Sequence, residues 1–274
     1  MICVTGDLHH QSLGTENQRH SDRPELVCAQ DALRLYEEAS VKVTFFVSGL
    51  AFAEEWDRLE PIARHPLVEL GGHNWNCLQP TWMHRVFGKV LGSYNGPAWY
   101  QDLDVRLTQE ACRRRTGREI RVWRNHMYMH GPHTDRVLAA RGIRVCSDGV
   151  DRTATGPRWH PAGLWHFPLN VMPDHEHLYH AERTREWVAR WQRRYRWSDD
   201  FGPDSYDPPE WTDRVLEQLA RNEERGLVSC MILHPITMYL ADGYRSLRRI
   251  LRFLEGRRTA WLTEVLPRTP EDAP

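Results

Sequence analysis

The chain has 274 residues, 41% hydrophobic and 27% charged, with a formal net charge of -1, so it can bury a full core. The balanced charge argues against a nucleic-acid partner, and no apolar run approaches the ~18 residues that a membrane span asks for. Six scattered cysteines without a CxxC pair, and an N-terminus that enters a strand without a charged leader, point to reduced thiols in a cytoplasmic protein.

Residues 2–5 predict a strand. Residues 24–40 predict a helix with Leu26, Ala29, Leu33 and Tyr36 on one face, and 41–47 a β-branched, aromatic strand ending at Ser48 and Gly49. The alternation continues with helices over 51–64, 99–115, 134–141, 183–194, 209–225 and 244–256. Between them fall strands over 67–70, 120–123, 143–146, 164–168 and 227–233. Gly117, Gly142 and Gly226 supply helix stops, and the arginine runs at 113–115 and 193–196 read as solvated helix faces. Strand–helix alternation without repeat or linker implies an α/β fold, a distorted (β/α)7-type barrel forming a single domain over 1–266, with a disordered tail over 267–274.

A polar residue follows each strand: Asp7, Ser48, His73, Arg124, Asp148, Asn170 and His234. In β/α barrels that face carries the active site. The chain also holds 15 histidines and 12 tryptophans, the former suited to metal binding and proton transfer, the latter to a core or to flat ligands.

These strand ends resemble the motifs of the polysaccharide deacetylase family, also called the NodB-homology or chitin-deacetylase-like family. Val4–Asp7 resembles its first motif and Val43–Val47 its second strand. The segment 69–76, with His73, resembles its histidine motif, 123–126 its arginine motif, 142–148 the strand after it, and 233–235 its last motif. The resemblance implies a metal-dependent deacetylase in which Asp7 is the general base, Arg124 orients it, His234 is the general acid and His73 binds a divalent ion. Hydrolysing an amide asks for such groups: a polarised carbonyl, a base for water and an acid for the leaving amine.

The chain departs from the family at two ligands. Leu8 stands where a second Asp is usual, and Cys77 where a second His is usual. His9 and His10 follow Leu8 directly and are the expected replacements, with His73, as metal ligands; Cys77 reads as a buried thiol, although a thiolate can bind zinc. Expected substrate contacts are Trp75, His126, Asp148, Asn170, His175 and His177. His130 and His133 are placed at the mouth of the site, and the run 174–180 reads as a polar rim, with a ligand set or a proton-relay lid as the alternatives. Zinc is the expected cofactor, with iron, manganese, cobalt or nickel as alternatives. The partner expected is a small sugar-like or other metabolite bearing an N-acyl group, with no nucleic acid and no membrane. The alternatives are non-hydrolytic chemistry on the same metal, such as an oxidative or other C–N cleaving reaction, and a catalytically inactive ligand-binding relative.

Overall fold

Seven parallel strands form the frame of the molecule: β1 (Ile2–Leu8), β2 (Val43–Val47), β3 (Val68–Gly72), β4 (Val122–Trp123), β5 (Val145–Cys146), β7 (Leu164–His166) and β8 (Ser229–Ile232). The computed structural model describes residues 1–181 and 183–267; the tail expected over 267–274 lies, from residue 268, outside the described residues. A further short strand, β6 (Arg158–His160), pairs antiparallel with β7 at the sheet edge, giving the order β6-β7-β5-β4-β3-β2-β1-β8. The result is a single-domain α/β fold with a curled half-barrel sheet covered by helices, as the strand–helix alternation implied. Among the described residues no helix is long and apolar enough to cross a membrane.

The strands β1, β2 and β3 are buried at every residue, the pattern of parallel strands covered on both faces. Their neighbour β4 lies so close that a Cβ on Gly72 would fall 2.2 Å from the Trp123 ring, so only glycine fits there. Gly117, with φ 71°, closes helix Ala98–Thr116 as expected. Helix 51–64 is instead two helices, Gly49–Glu54 and Trp56–Ala63, divided at Glu55. Helices Thr81–Leu91 and Pro235–Asp242 were not anticipated.

Between β7 and β8 the barrel is drawn together by one side chain. Asn170 donates its backbone N–H to the Cys230 carbonyl at 3.1 Å and accepts the Cys230 N–H on Oδ1 at 2.8 Å. Its Nδ2 donates to the carbonyls of Ala154 and Val228 at 2.7 and 3.0 Å. The side-chain polar atoms of Asn170, an expected substrate contact, are thus spent on backbone groups, and the residue does not line the cavity described below. Asn170→Ala leaves several buried groups unsatisfied and is expected to lower unfolding stability by about 3 kcal/mol in urea titration. An unchanged midpoint would remove Asn170 from this closing role.

Candidate active site

Asp7 lies near the end of β1, His73 and Arg124 directly follow β3 and β4, and His234 comes two residues after β8, so all four meet at one end of the sheet. The Arg124 side chain is fully buried. Its Nη1 donates to Asp7 Oδ1 at 2.9 Å and to Thr5 Oγ1 at 3.1 Å, while Nε and Nη2 donate to the carbonyl and hydroxyl of Ser147 at 3.0 and 2.8 Å. Its guanidinium carbon sits 4.3 Å from the centre of the Phe46 ring. Asp7 Oδ1 is therefore fixed, and Oδ2 faces His73 Nε2 at 3.7 Å and His234 Nε2 at 3.8 Å.

Burial would raise the Asp7 pKa, but Arg124, His73 and His234 outweigh it and hold the carboxyl well below its usual range. Burial drives the surrounding imidazoles the other way. His73 falls to about 4, with Asp7 opposing, and His126 and His175 fall well below the ordinary histidine value under burial and neighbouring imidazoles. His234 is the exception. Burial would lower it too, yet Asp174, bonded to its Nδ1 at 2.7 Å, and Asp7 raise it well above the usual value. His234 thus favours its proton and faces the carboxylate, while His73, His126 and His175 favour the neutral form able to donate a lone pair.

The rings around Asp7 are oriented. His73 Nδ1 donates to the Arg124 carbonyl at 2.9 Å, leaving Nε2 as a donor atom 3.3 Å from His126 Nδ1. His9 Nδ1 bonds Glu25 Oε1 at 2.8 Å, and its ring centre lies 5.1 Å from those of both His73 and His126. Such backbone and carboxylate partners fix the tautomer of metal-ligating histidines. Ligand atoms of His9, Cys77 and His126 also lie within 4.8 Å of one another. His73 Nε2, 3.3 Å from His126 Nδ1, adds a further nitrogen, and these nitrogen and sulfur donors are of a kind that suits a divalent transition ion.

The site opens into a cavity of about 770 Å³. Asp7, His9, His73, His126, His175 and His234 form its polar end. Trp187 and Trp191, stacked at 5.1 Å on helix Arg185–Tyr195, together with Trp197, form an aromatic wall.

Several expected contacts lie elsewhere. His10 turns away once β1 ends: its Nδ1 bonds Ser12 Oγ at 2.6 Å, and it does not line the cavity. Trp75 packs over Gly49, where a Cβ would come within 2.3 Å of its ring. Asp148 is taken up by the backbone and side-chain N–H groups of Asn125, both at 2.7 Å. His177 is clamped between the Asp204 carbonyl and the Asp199 carboxylate. His130 joins a separate cluster, and His133 accepts from Arg136 at 3.1 Å.

Sequence reasoning missed four contributors. Asp174 receives both the backbone N–H and Nδ1 of His234; its signal was its place in the run 174–180. Glu25, hidden at a helix start, carried none. Trp187 and Trp191 carried one, their i, i+4 spacing.

No protein-family model matches the sequence, and no curated protein matches it. Solved structures match in fold. A protein of Mycobacterium smegmatis assigned to the polysaccharide deacetylases is 17% identical, with TM-score 0.67, over 98% of this chain and 93% of that one. An allantoinase is 12% identical, with TM-score 0.62, over 95% and 86%. A CE4 family pseudoenzyme from Bacillus anthracis is 13% identical, with TM-score 0.52, over 97% and 65%. The fold is that of the polysaccharide deacetylases.

Arg124→Met would strand the Asp7 charge in the core and is expected to cost ~3–5 kcal/mol of stability. Asp7→Leu/Arg124→Met should recover much of that loss in the same denaturant titration. A double variant no more stable than the single one would show that Arg124 is held by its other contacts and not by Asp7.

Proposed function

We propose that this protein is a metal-dependent amide hydrolase that removes an acyl group from the nitrogen of a small molecule. The observation that carries the proposal is a convergence at the strand ends: Asp7, with Arg124 on one oxygen, faces His73 and His234 with the other, at the end of a cavity that His9, His126 and His175 also line. His9, His73 and His126 would hold the ion, which when bound supplies polarisation of an amide oxygen and a lower pKa for water.

The remaining groups supply the proton chemistry. Arg124 occupies one Asp7 oxygen and leaves the other to take a proton from water. His234, kept protonated by Asp174, gives its proton to the departing amine, since an unprotonated amine is a poor leaving group. Trp187, Trp191 and Trp197 line the same cavity and suit a substrate with a flat ring or apolar face. The fold is shared both with an allantoinase and with a pseudoenzyme, so catalysis here is argued from the intact Asp7–Arg124 and His234–Asp174 pairs and not from the likeness.

Release of free amine from a panel of N-acyl small molecules tests the reading. The wild-type protein should act on at least one of them, and Asp7→Asn should lower that rate by ~10²–10⁴. Rates equal in wild type and variant would end it. Trp191→Ala is expected to raise KM by about tenfold with little change in kcat; an unaltered KM would free the aromatic wall of a binding role.

The pH profile carries a further expectation. Asp174 stabilises the imidazolium, so the His234 proton is retained until the pH climbs through its raised pKa, and activity falls beyond that point. Asp174→Asn lowers that pKa and should move the basic limb of kcat/KM toward neutrality. A basic limb that stays in place would mean that His234 is not the acid.

A further inference from the structure

A second histidine cluster stands outside the cavity. Asp135 lies in the first turn of helix Thr134–Ala140, and three imidazoles aim the same ring nitrogen at its carboxylate. His130 Nε2 is 3.0 Å from Oδ2, His166 Nε2 is 2.6 Å from Oδ1, and His160 Nε2 is 3.6 Å from Oδ2. The three come from separate places: His130 from the loop after β4, His160 from β6 and His166 from β7. In the hairpin register His160 faces Leu164 and His166 faces Arg158. The two histidines therefore share one face of the hairpin, and their rings stack at 4.7 Å. Ligand atoms of His130, Asp135 and His166 lie within 4.8 Å of one another. All four side chains are partly exposed, so the cluster is open to an ion from solvent, and none of the four lines the cavity.

We propose that His130, Asp135, His160 and His166 form a second divalent-metal site that takes zinc. Three imidazole nitrogens and a carboxylate are the number and kind of donors that close a tetrahedral zinc shell, leaving no position for catalysis. The other nitrogen of His130 faces Asp148 Oδ2 at 2.9 Å, the carboxylate–histidine arrangement that orients a ligating ring. The role of the ion follows from where it sits. Strands β4 and β5 contribute only two residues each to the sheet, and β6 is its edge. Zinc would tie the hairpin, the helix start and the loop after β4 together where backbone pairing is sparsest. Asp148 also anchors Asn125, the residue before His126, so the same cross-link steadies one wall of the cavity.

Zinc bound per chain, measured by elemental analysis after dialysis against micromolar free zinc, tests the site. His166→Ala and Asp135→Asn, each checked for folding by circular dichroism, should hold one zinc fewer than wild type. Zinc should raise the wild-type melting temperature by about 5 °C more than that of His166→Ala. Wild-type zinc content in both folded variants would overturn the proposal and leave the cluster a hydrogen-bonded one. His73→Ala separates this site from the cavity. Loss in His166→Ala but not in His73→Ala would sustain the second site while removing the metal from the proposed function.

Discussion

The buried pair of Asp7 and Arg124 is the interaction on which the rest of the site depends. Arg124 reaches from the end of β4 to Thr5 and Asp7 on β1 and to Ser147 after β5, over the face of Phe46 on β2. Each of its three nitrogens donates inside the core, in four hydrogen bonds, so the guanidinium is held in one position. That position fixes Asp7, and Asp7 in turn sets the field felt by His73 and His234. Removing charges from water is costly, and here the cost is offset by the ion pair itself and the hydrogen bonds of Arg124 to Thr5 and Ser147.

From that pair the division of labour among the histidines follows. Burial, helped by the neighbouring imidazoles, favours the neutral form of His73 and His126, the form in which a ligand binds. His234 differs only because Asp174 stands behind it and Asp7 in front of it. One residue type therefore fills two roles according to which carboxylates surround it, a sorting that requires no change in chain composition.

Much of this was legible in the sequence. β-Branched runs marked most of the strands, and the polar residue after each marked the functional face. What escaped was settled by tertiary contact. The alternation that places Asp7 and His9 on one side ceases when β1 ends at Leu8, so His10 turns toward Ser12. His126 reaches the donor cluster from two residues beyond Arg124 because the chain doubles back in the short turn His126–Tyr128. Asn170 sits at a strand end like the others, yet the gap beside β8 claims its side chain. The pairing of Asp174 with His234 spans 60 residues and leaves no local pattern to read.

The account rests on one charged imidazole among neutral ones, and ring-nitrogen NMR of the metal-free protein at neutral pH measures that directly. It predicts two protonated nitrogens on His234 and a single one each on His73, His126 and His175. A neutral His234, or a doubly protonated His73, would contradict it.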